Sequence, residues 1–350
     1  MSRPPRARDL GFACGTLPAG ALNSIADVPG VLVGHRTLVD GDVRTGVTAI
    51  VPHGGNLYRQ KPVAAVHVLN GFGKSAGLVQ VEELGTIETP ILLTNTLSVG
   101  TCCTALVRHA IARNPDIGRE TATVNPVVFE CNDGYLNDIQ ALAITESDAR
   151  AALESASSQC AVGSVGAGCG MSTFGFKGGI GTSSRRLDLD GSSFHLGVLV
   201  LSNFGRSGDL RLPDGRIVSP SSAPDGKQTE KGSIIIVAAT DIPLSDRQLK
   251  RVIRRSGVGL ARLGSFWGHG SGDIALGFTN ANILSHDEKA ALIGLRILNE
   301  DRIDLLFEAM ADATQEAVLD ALVAASSMTG RSGHHRPGLF ETLKSLSPEA

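Results

Sequence analysis

The run "SIIIVAATD" at 233–241 carries no charged side chain before its final residue. A strand with one wet face alternates apolar and polar residues, whereas one that is apolar at consecutive positions must be covered on both faces. The same pattern recurs in "VAAVHVL" (63–69), "PILLTN" (90–95), "NPVVFEC" (125–131) and "FHLGVLVLSNFG" (194–205). None approaches the roughly 18 uncharged apolar residues of a membrane span. These strands therefore belong inside a layered protein, with material on either side of each sheet.

Further strand-like runs are "GVLVGHRTL" (30–38), "GVTAIVP" (46–52) and "DIALGFT" (273–279). Helical periodicity is read over 102–115, stopping at Asn114-Pro115, over 136–156 with a break, and over 244–263. The last of these has Ser245 as cap and Gln248 at capping-box spacing. Residues 285–326 read as two helices, and the chain from Arg331 onward as a peripheral turn and tail. Strands, helices, strands and helices follow one another without clean βαβ alternation. The expected class is α+β, with sheets buried between helices.

Charge narrows the partners. Lys and Arg number 32 against 35 Asp and Glu, a net charge of -3. The short basic groups "SSRR" (183–186) and "RRSG" (254–257) stand alone. A nucleic-acid partner is not expected. Six cysteines without a CxxC spacing fit a reducing compartment. The basic start "MSRPPRARDLG" has no apolar stretch behind it, so neither a secretory leader nor a membrane partner is expected.

"NGFGKSAG" (70–77) resembles a phosphate loop, but Val68 stands where the first glycine of that motif belongs. A strand-to-helix turn lining a cleft is the better reading. His269 sits among glycines with no second ligand spaced near it, and "SGHH" (332–335) adjoins the tail. No metal or cofactor is expected.

The most loop-like stretch is 206–232, and it ends where the apolar strand begins at Ser233. A small polar residue can simply start a strand. Alternatively, scission between Gly232 and Ser233 would give Ser233 an amine beside its own hydroxyl. Nucleophile and general base would then come from one residue, the amine with a pKa of about 7.7–8.0. Ser271 and Asp273, two apart in "GHGSGDIALGFT", would share one face of a strand.

The segments "EKGSIIIVAATDIPLSDRQLKRV" (230–252) and "GHGSGDIALGFT" (268–279) resemble the L-aminopeptidase/D-esterase family, which includes the β-peptidyl aminopeptidases. "DVPGVLVGH" (27–35), "LNGFGKSAGL" (69–78), "NTLSVG" (95–100), "FECNDGYLND" (129–138) and "GFKGGIGTSSR" (175–185) extend the resemblance over residues 8–325. It implies a four-layer α/β/β/α sandwich like that of N-terminal nucleophile hydrolases, with different connectivity. One catalytic domain over 1–350 would cut itself into 1–232 and 233–350, which stay together. The resemblance makes Ser233 the nucleophile, Ser271 and Asp273 the pair beside its amine, and Asn203 an oxyanion contact. Asp273 is one methylene shorter than the glutamate associated with the peptidase members.

By the same resemblance Lys177 lies near the cleft, where its ammonium supports the carboxylates or lowers an amine pKa. Glu130 meets the substrate's ammonium, and either Asn132 or Tyr135 takes the place of the family's aromatic hydroxyl. The implied substrates are short peptides, amino-acid amides or esters, handled by a homotetramer of cleaved pairs. An ω-amino amide oligomer hydrolase and a non-catalytic binding scaffold are the alternatives.

Overall fold

The computed structural model describes residues 3–220 and 231–346, and of Lys231 the backbone alone. Two sheets stack face to face. The larger has five strands in the order Gln60–Gly71, Gly270–Ser285, Lys231–Thr240, Ser192–Asn203 and Gly179–Leu189. Its only parallel pair joins Lys231–Thr240 to Gly270–Ser285. The smaller sheet runs Leu32–Asp40, Val43–Val51, Ile91–Asn95 and Val127–Cys131, its last two strands parallel.

The apolar run at 233–241 explains the stacking. Ile234, Ile236 and Ala238 join a core shared with the long helix Asp304–Ala324 and the helices Asp246–Ile253 and Ser256–Arg262. Ile235, Val237 and Ala239 face the smaller sheet, among Ile50, Leu93, Phe129 and Cys131. A third apolar layer sets Val47, Ala49 and Val128 against helices Val99–Arg113 and Glu146–Glu154. The order is helices, sheet, sheet, helices. Each buried Ile or Val contributes about 1.5–3 kcal/mol through this burial.

The long helix lies hard on the larger sheet. A Cβ on Gly181 would stand 1.9 Å from the Ala317 carbonyl oxygen, so a side chain there would lift the helix.

Some elements depart from the sequence reading. The 244–263 stretch is two helices broken at Arg254–Arg255, with the Ser245–Gln248 capping box in place. Residues 285–326 hold one α-helix, Asp304–Ala324, behind a 3-10 turn at Glu300–Arg302. Its expected partner is non-helical, because residues 287–297 are all exposed and short helices without a buried face are marginal. The C-terminal segment is not peripheral: helix Leu339–Leu346 buries Leu339 and Leu343 in the main core. Within the 206–232 loop, Leu210–Arg211 and Ile217–Val218 pair as a small ribbon, and 221–230 lie outside the described residues.

Replacing Gly181 by Val should cost about 1–3 kcal/mol by overpacking. Urea unfolding should show a lower midpoint at unchanged slope.

Candidate active site

Ser233 is the third residue of the strand Lys231–Thr240 and is buried. On one side it pairs with Asn203, and on the other with Gly272. Its Oγ accepts the Gly272 N–H at 3.1 Å. Gly232, immediately before it, has φ 154°, and a Cβ there would lie 2.1 Å from the Asn203 carbonyl oxygen. No residue with a side chain fits that position.

Strand pairing decides where the other groups stand. Paired residues share a face, so Ser233 and Gly272 point toward the smaller sheet. Ser271 and Asp273 flank Gly272 and point the other way. They are fully buried and joined to each other, Ser271 Oγ donating to Asp273 Oδ1 at 2.5 Å. The pair therefore shares one face, as its spacing predicts. It lies beside the Gly232–Ser233 backbone rather than beside the Ser233 hydroxyl.

Glu130 comes from the smaller sheet, one residue before the end of Val127–Cys131. Its carboxylate is buried and held by the Lys74 N–H at 2.8 Å and by the Thr96 hydroxyl. Gly73 lies between this carboxylate and the serine. A Cβ on Gly73 would be 3.5 Å from Glu130 Oε1, while one on Gly272 would be 3.1 Å from Gly73 Cα and 3.0 Å from Ser233 Oγ. Carboxylate and hydroxyl thus approach the same glycine from opposite sides. The glycine-rich turn at 70–77 forms this mouth, tied down by Phe72 N–H to Ser271 O and Asn70 Nδ2 to Gly268 O. Phe72 is exposed at its lip, with the Lys74 ammonium 4.5 Å above its ring.

Asn203 is clamped. Its Oδ1 accepts the Ser172 N–H at 2.8 Å, and its Nδ2 donates to the Asn132 carbonyl at 3.0 Å. A primary amide has two N–H donors, so one remains for another acceptor. The Asn132 side chain turns back to accept the Gly134 N–H at 2.9 Å. Tyr135 is 39% exposed, stacked on His334 at 4.7 Å with the Arg336 guanidinium 3.7 Å over its ring. The C-terminal segment thus packs on that ring. Neither side chain bonds to Ser233 among the described residues.

Lys177 differs from its expected place. It is fully buried, and its ammonium donates to the carbonyls of Gly168, Met171 and Gly178 at 3.0, 3.0 and 2.7 Å. All three hydrogens are spent on backbone, so none forms a hydrogen bond with a carboxylate. Lys177 instead fixes the turn leading to Ser172, and through it Asn203. Burial pulls its pKa down to about 7. Nearby Asp133 is bonded by Thr45 and Asn137, and burial lifts its pKa to about 6.

Two residues went unnoticed in the sequence. Thr96 follows the strand that pairs with Glu130's strand, and adjacent ends of parallel strands bring such side chains together. Cys131 crosses between the sheets: its Sγ lies 3.3 Å from the Ser233 carbonyl oxygen and 3.6 Å from that of Leu201. Burial, then Glu130 and Asp273, push its thiol pKa well above the usual value. It stays a neutral thiol that joins the two sheets beside the serine.

The chain matches the peptidase family S58 over residues 23–336. It is 39% identical to the β-peptidyl aminopeptidase BapA of Sphingosinicella microcystinivorans over 94% of this chain and 88% of that one. Among solved structures it superposes on the PH0078 protein of Pyrococcus horikoshii OT3 with a TM-score of 0.92 and 45% identity, covering 98% and 99% of the two chains. It also superposes on the L-aminopeptidase D-Ala-esterase/amidase of Ochrobactrum anthropi, described as a prototype of the serine aminopeptidases and a variant of the Ntn hydrolase fold. There the TM-score is 0.88 and the identity 35%, over 98% of each chain. A four-layer sandwich with this likeness defines a serine-type aminopeptidase. The chain belongs to peptidase family S58.

Replacing Lys177 by Met strands three carbonyls, each at about 1–3 kcal/mol. The variant should therefore melt well below wild type. Lys177 has a lower pKa folded (about 7) than its ordinary 10.5, so unfolding takes up a proton between those values. Its contribution to stability rises from pH 7 to 10.5 and is lost as pH falls back through that window. Denaturant titrations across the range should show that slope in the difference between wild type and K177M.

Proposed function

We propose that the chain cuts itself at Gly232–Ser233 and that the freed Ser233 is the aminopeptidase nucleophile. The observation that carries this reading is the seat of Ser233, an inward-facing serine behind a glycine that no larger residue can replace. In the first stage Ser233 Oγ attacks the Gly232 carbonyl carbon. The peptide C–N bond breaks, the nitrogen takes the hydroxyl proton, and an ester forms. Water hydrolyses that ester, leaving the Gly232 carboxylate and the Ser233 amine. Fragments 1–232 and 233–350 remain one domain, because the strand Lys231–Thr240 lies inside the larger sheet.

In the second stage the amine accepts the proton of its own hydroxyl, with the Ser271–Asp273 pair beside it. Oγ attacks the acyl carbon of a short peptide, amide or ester; the adduct collapses, the departing amine or alcohol takes the proton held by the Ser233 amine, and water then hydrolyses the acyl-enzyme to free the product acid and Ser233. The remaining Asn203 N–H faces the developing oxyanion, with Asn132 or Tyr135 as the second contributor. Glu130, across Gly73, takes the substrate's ammonium. Substrates with a free amine near the acyl carbon suit this placement, β-peptidyl ones as named for the relatives among them. Among the described residues no helix is long and apolar enough to cross a membrane, and all six cysteines are free thiols. We place the protein in the cytoplasm, as a homotetramer of cleaved pairs.

Mass spectrometry of the purified protein tests the first stage. Two fragments beginning at Met1 and Ser233 are expected, and Ser233→Ala should give one chain of 36.4 kDa without turnover. A single full-length species that is fully active would overturn the reading and favour a different nucleophile. An uncleaved, inactive protein would favour the binding scaffold. For the second stage, Glu130→Gln should raise KM for free-amine substrates about tenfold or more, the size of one lost charged hydrogen bond. Wild-type turnover of N-acetylated substrates at equal rates would rule out that role.

A further inference from the structure

Residues 287–297 form the most anomalous surface of the molecule. Every one is exposed, yet Leu292, Ile293, Leu295 and Ile297 are among them, Leu292 at 90%. The segment is anchored at both ends. The His286 N–H donates to Arg59 O at 2.8 Å, and the His286 ring packs on Tyr58 at 4.6 Å. On the return, Asn282 Nδ2 donates to Arg296 O at 2.7 Å, Arg296 N–H to Asn282 Oδ1 at 3.3 Å, and Gln248 Nε2 to Leu298 O at 2.7 Å. The stretch between is an arm projecting into open space, and a Cβ on Gly294 would touch nothing. Large apolar side chains displayed together mark a contact surface.

The same chain carries a complementary surface. A groove of about 650 Å³ is lined by Val66, Val68, Leu78 and Val79, with Glu82, Glu83 and Lys250 on its rim. Val79 is 86% exposed. Its floor is the edge strand Gln60–Gly71. The outer backbone of that strand is bonded near its start, where Ala64 N–H meets Gly85 O and Ile87 N–H meets Pro62 O. Beyond Ala64 no strand lies beside it among the described residues. An uncovered edge next to an apolar groove accepts an extended segment.

Charge agrees with shape. Past Asp287, which Arg59 holds, and Glu288, residues 289–297, "KAALIGLRI", carry two positive charges and no negative one. Neither Lys289 nor Arg296 forms an ion pair among the described residues, and nor does Glu83 on the groove rim, whereas Glu82 is held by Lys250. The arm leaves the sheet heading away from its own groove. The arm leaves the sheet where Ser285 pairs with Gln60, and Val66 lies six residues further along, about 20 Å at the rise of a strand.

We propose that the arm at 289–297 of one copy seats in the Val66–Val79 groove of a second copy, its leucines and isoleucines against the valines and its cations toward Glu83. The inference rests on the self-association proposed above and names the surface that makes it.

Sedimentation of the processed protein separates the two ideas. Wild type should sediment as a multiple of the 36.4 kDa unit. Leu292→Asp with Ile293→Asp on the arm, and separately Val79→Asp in the groove, should each lower the mass at least about twofold, as loss of one symmetric interface does. A wild type that sediments as one unit overturns self-association and this interface together. An oligomer unchanged by both variants overturns the interface alone. A second measurement covers misfolding. Val79→Cys and Leu292→Cys, each on a separate tagged chain and co-expressed, should form a disulfide joining the two tags, which can arise only between copies. Its absence under oxidation, with the oligomer intact, also overturns the proposal. The far-UV circular dichroism of each variant is followed alongside, so that loss of the fold is distinguished from loss of the interface.

Discussion

The hydrogen bonds that seat residue 233 between Asn203 and Gly272 set the position of every other group around it. The strand that begins there is apolar on both faces, its even residues against helices and its odd residues against the second sheet. A slip of one residue would exchange the two sets and expose neither to a matching layer, so the register is strongly fixed. The Ser233 hydroxyl is therefore committed to the inter-sheet face, against the turn at 70–77 whose other side Glu130 meets. The Ser233 backbone nitrogen is committed to the neighbourhood of Ser271 and Asp273. A hydroxyl and a nitrogen of one residue are presented to two different sets of partners, on two sides of one strand.

Keeping polar groups at this end of the sandwich is costly, and the chain offsets the cost with hydrogen bonds rather than with water. Lys177 is surrounded by three carbonyls, Asp133 by Thr45 and Asn137, and Asn203 by Ser172 and Asn132. The three clusters are joined through the chain: Lys177 pairs with Ser172, and Asp133 follows Asn132. Burial biases both ionisable members toward their neutral forms, with pKa values of about 6 and about 7. The result is a rigid frame around a single amide, with one N–H of that amide left over.

Much of this could be read from the residues, and the unread part has a common cause. Unbroken apolar runs give the two-sided burial of the strands, and hence the layers. The Ser245–Gln248 capping box and the loop-to-strand junction at Gly232–Ser233 are local features, and local features are legible. The order of strands is not local: Asn203, Ser233, Gly272 and Gly71 lie side by side although up to 201 residues separate them in the chain. The burial of Lys177 is not legible, because nothing near it in sequence announces the carbonyls of 168, 171 and 178 as its surroundings. The arm at 287–297 failed in the opposite sense. Its composition favours a helix, but a helix needs a buried face, and the fold supplies none there.

That same arm connects the site to the assembly. The strand Gly270–Ser285 carries Ser271 and Asp273 at its first residues and passes into the arm at its last. The groove opposite is built on the helix Leu78–Leu84, which follows directly on the turn that separates Glu130 from Ser233. That helix has seven residues and leaves Val79 and Leu84 in water, so little holds it apart from its contacts with the edge strand. An apolar segment laid across Val79 would stabilise the helix and, through it, the turn at 70–77. Association would then set the firmness of the mouth through which a substrate's ammonium reaches Glu130, with no residue of the second copy entering the site.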